Sequence, residues 1–388
     1  TSVAVYNVIL DSYIINSDEE YLEPTLEALV KYFPELDKAE LENYIKTNPE
    51  NRYYRVLKKQ SYDTVKEFQD MLNEEDKDGR KVNYNVKGVW FETEYQRNYP
   101  FDSLAGSLIG FTSDGNVGTI GLENYYNDTL NGVDGREYGY LNSDSDFEKT
   151  VVEAEDGDTI VCSIDANIQS IVEEKILEFN ETYRDNYRKG AGSTNTGVII
   201  MNPNTGEILA MASSPTFDPN ELLVGRGRGN NYVRLLNEPR GPMLNRAVKS
   251  PLPPGSTFKL LNGLIGLQEG VLRPGYRYSC DRGYKSGRVK MGCHEHRSPL
   301  DLDFAIATSC NAYFANVFRN ILENKKYKSP KEGYVAWKEY VNSFGFGARL
   351  GVDLYGEASG TVMSREYYDK LYHNSWNALT LISLSIGQ

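Results

Sequence analysis

Pro253-Pro254-Gly255 stands directly before a run with Leu260, Leu261, Leu264, Ile265 and Leu267 at helical spacing, and Gly270 closes that run. Two prolines and a glycine resist helix, whereas apolar residues recurring at this period demand one. A helix must therefore begin within the three residues that follow Gly255, at an entry angle set by a Pro-Gly turn. Ser256 falls at that N-terminus, and Lys259 sits one turn further on, where its amine can lie beside the serine hydroxyl. A serine hydroxyl becomes a useful nucleophile only when a neighbouring base takes its proton. A lysine desolvated below its ordinary pKa can be that base, and a helix N-terminus favours developing negative charge. The plainer reading of Ser256 is a helix cap, a place serine commonly occupies, and the tetrapeptide Ser-x-x-Lys alone does not decide between them.

The rest of the chain changes character along its length. Residues 20–75 read as short amphipathic helices: Glu23-Pro24-Thr25 opens one, Pro34-Glu35-Leu36-Asp37 restarts a second, and Asp63 to Leu72 suits a third. Asn73 to Arg80 is a charged loop, and residues 81–155 read as short strands with Gly, Asn and Asp turns. Residues 159–165 look like a buried strand that makes Cys162 a core residue, followed by a helix over about 166–181. Arg188 to Asn195 is a Gly/Ser-rich connector, and 197–201 with 207–212 flank Asn202-Pro203-Asn204-Thr205-Gly206 as a hairpin. The remainder is mainly helical, so an α+β region after a mixed first one is expected.

Charge and length narrow the function. The 388 residues carry 42 Lys+Arg against 55 Asp+Glu, a net −13, which excludes a general nucleic-acid binder because such a protein needs a basic face. No stretch reaches the ~18–20 apolar residues of a membrane span, and no signal peptide is visible. The absence of an initiator Met and of a closing helix signal reads as a piece cut at both ends.

The four cysteines and three histidines are unevenly placed. Cys280, Cys293, His294, His296 and Cys310 cluster, in the pattern Cys280-x12-Cys293-x2-His296-x13-Cys310. A Cys-x-x-His pair chelates one ion and two further thiolates complete a tetrahedron, a donor set that suits structural zinc. His294 is the alternative nitrogen ligand. A Cys280–Cys293 disulfide and buried free thiols are the other readings. No organic cofactor is indicated.

The stretch Leu244-Asn245-Arg246-Ala247 … Pro253-Pro254-Gly255-Ser256-Thr257-Phe258-Lys259 resembles the active-site serine region of class B penicillin-binding proteins, most closely the elongation-specific penicillin-binding protein 2 type. Gly121-Leu122-Glu123 … Tyr126 … Leu130 … Gly132 … Gly135 resembles the pattern preceding the family's transpeptidase domain. Thr159 to Gln169 is similar to its entry segment and Met201 to Met211 to its first hairpin. The resemblance implies residues 1–157 as a pedestal or dimerisation-type domain with a helical head at about 20–80. It implies 158–388 as a penicillin-binding/serine β-lactamase-like transpeptidase domain, truncated before its third motif.

The family's second motif is Ser-x-Asn or Ser-x-Asp. Ser193/Asn195, Ser309/Asn311 and Ser375/Asn377 all spell it, but only Ser309-Cys310-Asn311 lies between an apolar helix (Leu300 to Thr308) and an aromatic one (Ala312 to Leu322). The resemblance implies that Ser309 relays a proton between Lys259 and the leaving amine and that Asn311 holds the acyl-donor amide. A capping serine and a turn asparagine are the residue-level alternative. Lys285-Ser286-Gly287 spells the third motif but lies between the first two, so it is read as a coincidence in a basic loop. In the family the third motif follows a Gly-Gln-Gly segment, and this chain stops at Gly387-Gln388. The hairpin at 197–213 is then expected to keep an unpaired edge.

By resemblance the activity is a peptidoglycan D,D-transpeptidase working through a serine acyl-enzyme on stem peptides and inhibited by β-lactams. It would sit on the extracytoplasmic (periplasmic) face of the cell membrane, beside a membrane glycan polymerase of the elongation complex, tethered by a single-pass anchor absent from this chain. Some relatives look similar at the Cys/His cluster, with zinc between the nucleophile helix and the second motif. A non-catalytic scaffold or β-lactam sensor is the rival reading, and a D,D-carboxypeptidase or β-lactamase the third.

Overall fold

The structure, a computed structural model, describes residues 1–141, 147–186, 195–223 and 227–388. They pack as two compact units, 1–247 and 248–388. This division by packing is different in kind from the functional boundary at 157/158 that the resemblance implies.

The first unit begins with a three-stranded antiparallel sheet of order β2-β1-β3, built from β1 (Ser2–Leu10), β2 (Tyr54–Gln60) and β3 (Val89–Arg97). β1 is the central strand, and Val8, Ile9 and Leu10 are fully buried. A short α1 (Ser12–Ile15) leads to α2 (Glu19–Tyr32) and α3 (Lys38–Thr47), and α4 (Tyr62–Asn73) follows β2. Leu26, Leu29, Phe33, Ile45 and Phe68 from these helices form one core with Val8 and Leu10. Asp18, Asp37 and Ser61 cap α2, α3 and α4, each side chain accepting a backbone N–H of its helix's first turn.

Two expectations change here. The helical reading of 20–75 misses β2, and α2 starts before Pro24 rather than at it. Asp18 with Glu19 and Glu20 supplies the stronger start signal, and Pro24 removes only its own helical donor.

Next come α5 (Gly106–Ile109), α6 (Gly121–Tyr125), α7 (Asn127–Leu130) and the hairpin of β4 (Arg136–Leu141) with β5 (Phe147–Val152). The three short helices replace part of the strand pattern expected over 81–155. Glu123 in α6 is buried and meets Arg97 Nε at 2.9 Å, so the Gly-Leu-Glu pattern encodes an ion pair anchoring α6 to β3.

α8 (Ala166–Asn186) packs on β7 (Ile208–Ser214), which pairs antiparallel with β6 (Thr196–Met201) as the hairpin reading expects. Residues 159–165 form no strand. Their ties to β7 are an Asp165 N–H to Leu209 O (2.9 Å) and a Ser163 hydroxyl to Ile208 O (2.8 Å), too few for a ladder. Val161 is 92% exposed and Cys162 is exposed, which corrects its placement in the core. The Gln169 amide exchanges two hydrogen bonds with the Met211 backbone, covering part of the β7 edge. Most of the Arg188–Asn195 connector, including Ser193, lies outside the described residues. α9 (Arg228–Asn237) completes the unit, and α10 (Arg246–Lys249) spans the point of division.

The second unit is helical around α13 (Asn311–Leu322), whose Phe314, Val317, Phe318, Ile321 and Leu322 are fully buried. Against it lie α11 (Phe258–Gln268), α14 (Pro330–Ser343) and a terminal 3₁₀ turn, Ile382–Ile386. The hairpin of β8 (Gly283–Ser286) and β9 (Val289–Gly292) also packs on α13, while α12 (Leu302–Ala307) and α15 (Arg365–Leu371) complete the unit. Lys285-Ser286-Gly287 is therefore the end of β8 and its turn rather than a loop. Among the described residues no helix is long and apolar enough to cross a membrane.

Candidate active site and metal centre

Gly255–Thr257 form one 3₁₀ turn that runs directly into α11, so the helix starts where Pro253-Pro254-Gly255 requires. Ser256 is exposed on that turn, and Lys259 is only 3% exposed. The buried amine is not left unpaired. Lys259 Nζ donates to the Ser309 carbonyl oxygen (2.6 Å), to Ser309 Oγ (3.0 Å) and to Asn311 Oδ1 (2.6 Å). Burial holds Lys259 below its ordinary pKa, opposed by the thiols of Cys293 and Cys310.

Ser309, Cys310 and Asn311 converge on this amine because they form the junction of two helices. The Ser309 N–H bonds Ile306 O (3.0 Å) and the Cys310 N–H bonds Ala305 O (2.9 Å), the double bond of a Schellman ending to α12. That ending needs a left-handed residue, and Ser309 supplies it at φ 49°. The next residue caps the following helix: Cys310 Sγ accepts the Tyr313 N–H at 3.3 Å. Asn311 then opens α13 with both ends of its amide engaged, Oδ1 by Lys259 and Nδ2 by the Gly292 carbonyl at 2.8 Å. Of the alternative matches, Ser375/Asn377 lies in a surface turn after α15, and Ser193/Asn195 falls partly outside the described residues.

The same junction carries the thiol cluster. The ligating atoms of Cys280, Cys293, His296 and Cys310 all lie within 4.8 Å of one another. Cys280 and Cys293 flank the β8–β9 hairpin, whose register pairs Gly283 with Gly292 and so brings its two ends together. His296 Nδ1 donates to the Arg297 carbonyl at 2.9 Å, since a carbonyl can only accept. This leaves Nε2 free to face Cys293 Sγ at 3.5 Å. His294 is not part of the group.

Burial pushes the Cys310 thiol up to about 12 and raises Cys280. Burial also opposes ionisation of Cys293, but the Asn311 backbone N–H, His296 and the neighbouring thiols outweigh it and leave this thiol low. The four cysteines are free thiols, and none is paired as a Cys280–Cys293 disulfide.

One polar residue of the site went unread in the sequence. Asn262 is fully buried on α11, donates to Leu384 O (3.2 Å) and Ser385 O (3.0 Å), and accepts from Trp337 Nε1 (2.8 Å). An asparagine on the buried face of an otherwise apolar helix was the available signal.

Residues 1–162 match the Penicillin-binding Protein dimerisation domain, and residues 196–385 match the Penicillin binding protein transpeptidase domain. The chain belongs to the penicillin-binding proteins. Among curated relatives, the peptidoglycan D,D-transpeptidase MrdA of Acinetobacter baumannii is 28% identical over 334 residues, covering 79% of this chain and 45% of that protein. Stage V sporulation protein D of Bacillus subtilis is 28% identical over 346 residues, covering 86% and 48%. The chain thus spans about half the length of the curated relatives it matches. Penicillin-Binding Protein (PBP2) of Helicobacter pylori, solved in complex with MreC, superposes over 100% of this chain and 69% of its own, at TM-score 0.71 and 21% identity. That likeness bears out the α+β, pedestal-plus-transpeptidase fold of this penicillin-binding protein.

Proposed function

We propose that this chain is the serine-bearing part of a peptidoglycan D,D-transpeptidase. The supporting observation is the convergence of a buried lysine one turn after an exposed serine with the Ser309 and Asn311 side chains. In this reading Ser256 Oγ attacks the penultimate D-Ala carbonyl of a stem peptide while Lys259, in its neutral form, takes the hydroxyl proton. The C–N bond breaks, Ser309 passes that proton to the leaving nitrogen, and D-Ala departs. An amine from a neighbouring strand then attacks the ester carbon, the C–Oγ bond breaks, and the proton returns to Ser256. With its three N–H donors facing three acceptors, Lys259 is arranged as an ammonium, so burial must supply the bias toward the neutral base. Asn311, fixed at both ends, is the group that can hold the donor amide.

The Cys280, Cys293, His296 and Cys310 set fits a tetrahedral structural zinc: three sulfurs and one imidazole nitrogen, the ring oriented by its bond to the Arg297 carbonyl. Bound there, zinc would cross-link the β8–β9 hairpin to the α12–α13 junction and supply no step of the reaction. We further propose an extracytoplasmic location at the cell membrane, stem peptides and β-lactams as ligands, and a membrane glycan polymerase as partner of the pedestal.

Intact mass after incubation with benzylpenicillin tests the serine chemistry. A penicilloyl adduct on the parent and none on Ser256→Ala is the expected result. A cooperatively melting parent that takes no adduct would instead favour the scaffold reading.

A further inference from the structure

We infer that Gly387 and Asn262 are positioning residues for the nucleophile turn, an inference resting on the reading of Ser256 as nucleophile. Ser256 is exposed and follows Gly255, which is left-handed at φ 63° and has nothing within 4 Å of its Cβ position. What ties this turn to the body of the unit is a backbone hydrogen bond from the Gly255 N–H to Gly387 O at 3.1 Å. Gly387 is itself left-handed, at φ 71°. A Cβ at Gly387 would fall 2.4 Å from Gly255 O, 2.8 Å from Gly255 N and 2.8 Å from Phe258 Cβ. Only glycine permits this approach, because the first two of those atoms are backbone.

Gly387 in turn is held from behind. Asn262 donates to the Leu384 and Ser385 carbonyls of the terminal 3₁₀ turn, and Trp337 fixes the Asn262 amide from its other end. The brace runs Trp337, Asn262, Leu384–Ser385, Gly387, Gly255, and it ends beside Ser256. Lys259 lies on the same helix as Asn262, so one helix sets both the base and the backbone that places the nucleophile. With Ser256 as nucleophile and Lys259 as its base, a displaced turn changes their spacing, and a shift of about 1 Å at a reacting atom costs on the order of 100-fold in rate.

The test uses the whole 388-residue chain. Hydrogen exchange is followed in the 253–258 peptide, and the second-order acylation constant is measured with a fluorescent penicillin. Variants are Gly387→Ala, Gly387→Asn and a chain ending at Ile386, with Gly360→Ala as control. Gly360 has a similar φ of 69° but nothing within 4 Å of its Cβ position, so it reports strain without contact. Asparagine tolerates a left-handed φ but still carries the Cβ. Both Gly387 substitutions should therefore deprotect 253–258 and slow acylation by about 100-fold, whereas Gly360→Ala should do neither.

The chain ending at Ile386 removes the acceptor without adding a side chain. It keeps the test available should the substituted chains fail to fold, and it should show the same deprotection. Unchanged protection and unchanged acylation in these variants would overturn the brace. A parent that protects 253–258 yet takes no penicillin would sink the transpeptidase reading, while the exchange comparison still decides the brace.

Discussion

Ser309 carries two demands that conflict. The Schellman ending of α12 needs a left-handed residue, where a side chain costs roughly 1–2 kcal/mol relative to glycine, yet the proposed proton relay needs a hydroxyl. Ser309→Ala and Ser309→Gly both remove the hydroxyl, and they differ in strain alone. Acylation should fall by about 10²–10⁴-fold in both, while the glycine variant should melt above the alanine variant by about 1 kcal/mol of stability. Equal melting temperatures would mean that the φ of 49° is not strained.

Asn311→Asp replaces the acceptor beside Lys259 with a full negative charge, which favours the ammonium and works against burial. The base is the neutral amine, so the acid limb of the acylation profile should move to higher pH. A rate-against-pH series with a penicillin checks the direction.

The serine and lysine were legible because Pro253-Pro254-Gly255 fixes where the helix begins. The left-handed Ser309 was not, since neither Gly nor Asn stands there to signal it. Nor did the sequence reveal Lys259 bonding the Ser309 carbonyl.

Between elements, packing is decided where backbones touch. Gly333 in α14 faces Leu322 of α13 so closely that a Cβ would sit 2.2 Å from the Leu322 carbonyl oxygen and 2.8 Å from its Cα. No side chain can turn aside to relieve that contact. Gly333→Ala should destabilise the second unit by about 3 kcal/mol despite alanine's better helix propensity, as thermal unfolding would read.

The far end of α11 is tied by charge. Glu269, its side chain 1% exposed, accepts from Tyr327 Oη at 2.9 Å and meets Lys326 Nζ at 2.9 Å. Burial pushes this carboxyl up, but the bonds from Lys326, Tyr327 and Tyr340 outweigh it and leave its pKa lowered. A lowered folded pKa stabilises fully above the unfolded value and loses that contribution as pH falls through the folded one. Glu269→Gln should therefore cost about 1.5–3 kcal/mol at neutral pH, with the gap to the parent narrowing in acid.

At this scale α3 and α4 were legible, because Asp37 and Asp63 stand at or just inside their starts, whereas the start of α2 was misplaced at Pro24. β1 and β2 were not recognised as strands, since their pairing across the intervening helices is non-local. The strand read at 159–165 failed for the opposite reason: its local pattern suits a strand, but the Gln169 amide takes the Met211 backbone, and the segment itself makes only two isolated bonds to β7.

Over the whole chain, two units with separate cores make one local cross-link testable by itself. The Cys/His set, all within residues 280–310, joins the ends of the β8–β9 hairpin to the α12–α13 junction inside the second unit. Without an ion, Cys280 and Cys310 are buried thiols with raised pKa values, so metal entry must release their protons. Affinity should therefore fall as pH is lowered.

The purified chain should carry one zinc by elemental analysis. A chelator at neutral pH should lower the melting midpoint of the second unit by about 5–10 °C, roughly 2–3 kcal/mol for a unit of this size. Two of the three tryptophans, Trp337 and Trp376, are buried there, so their fluorescence reports that transition, while Trp90 lies in the first unit. Cys280→Ser should reproduce the shift and remove the response to chelator. Thiol titration of the denatured chelated protein separates the alternatives. Four reactive thiols fit a metal-binding or inert set, and two would mean a disulfide, of which peptide mapping to Cys280 and Cys293 would be the test. A chain with four thiols, no zinc and no chelator response would leave the cluster as packing alone, with the second motif held by Lys259 and the α12 ending rather than by a metal.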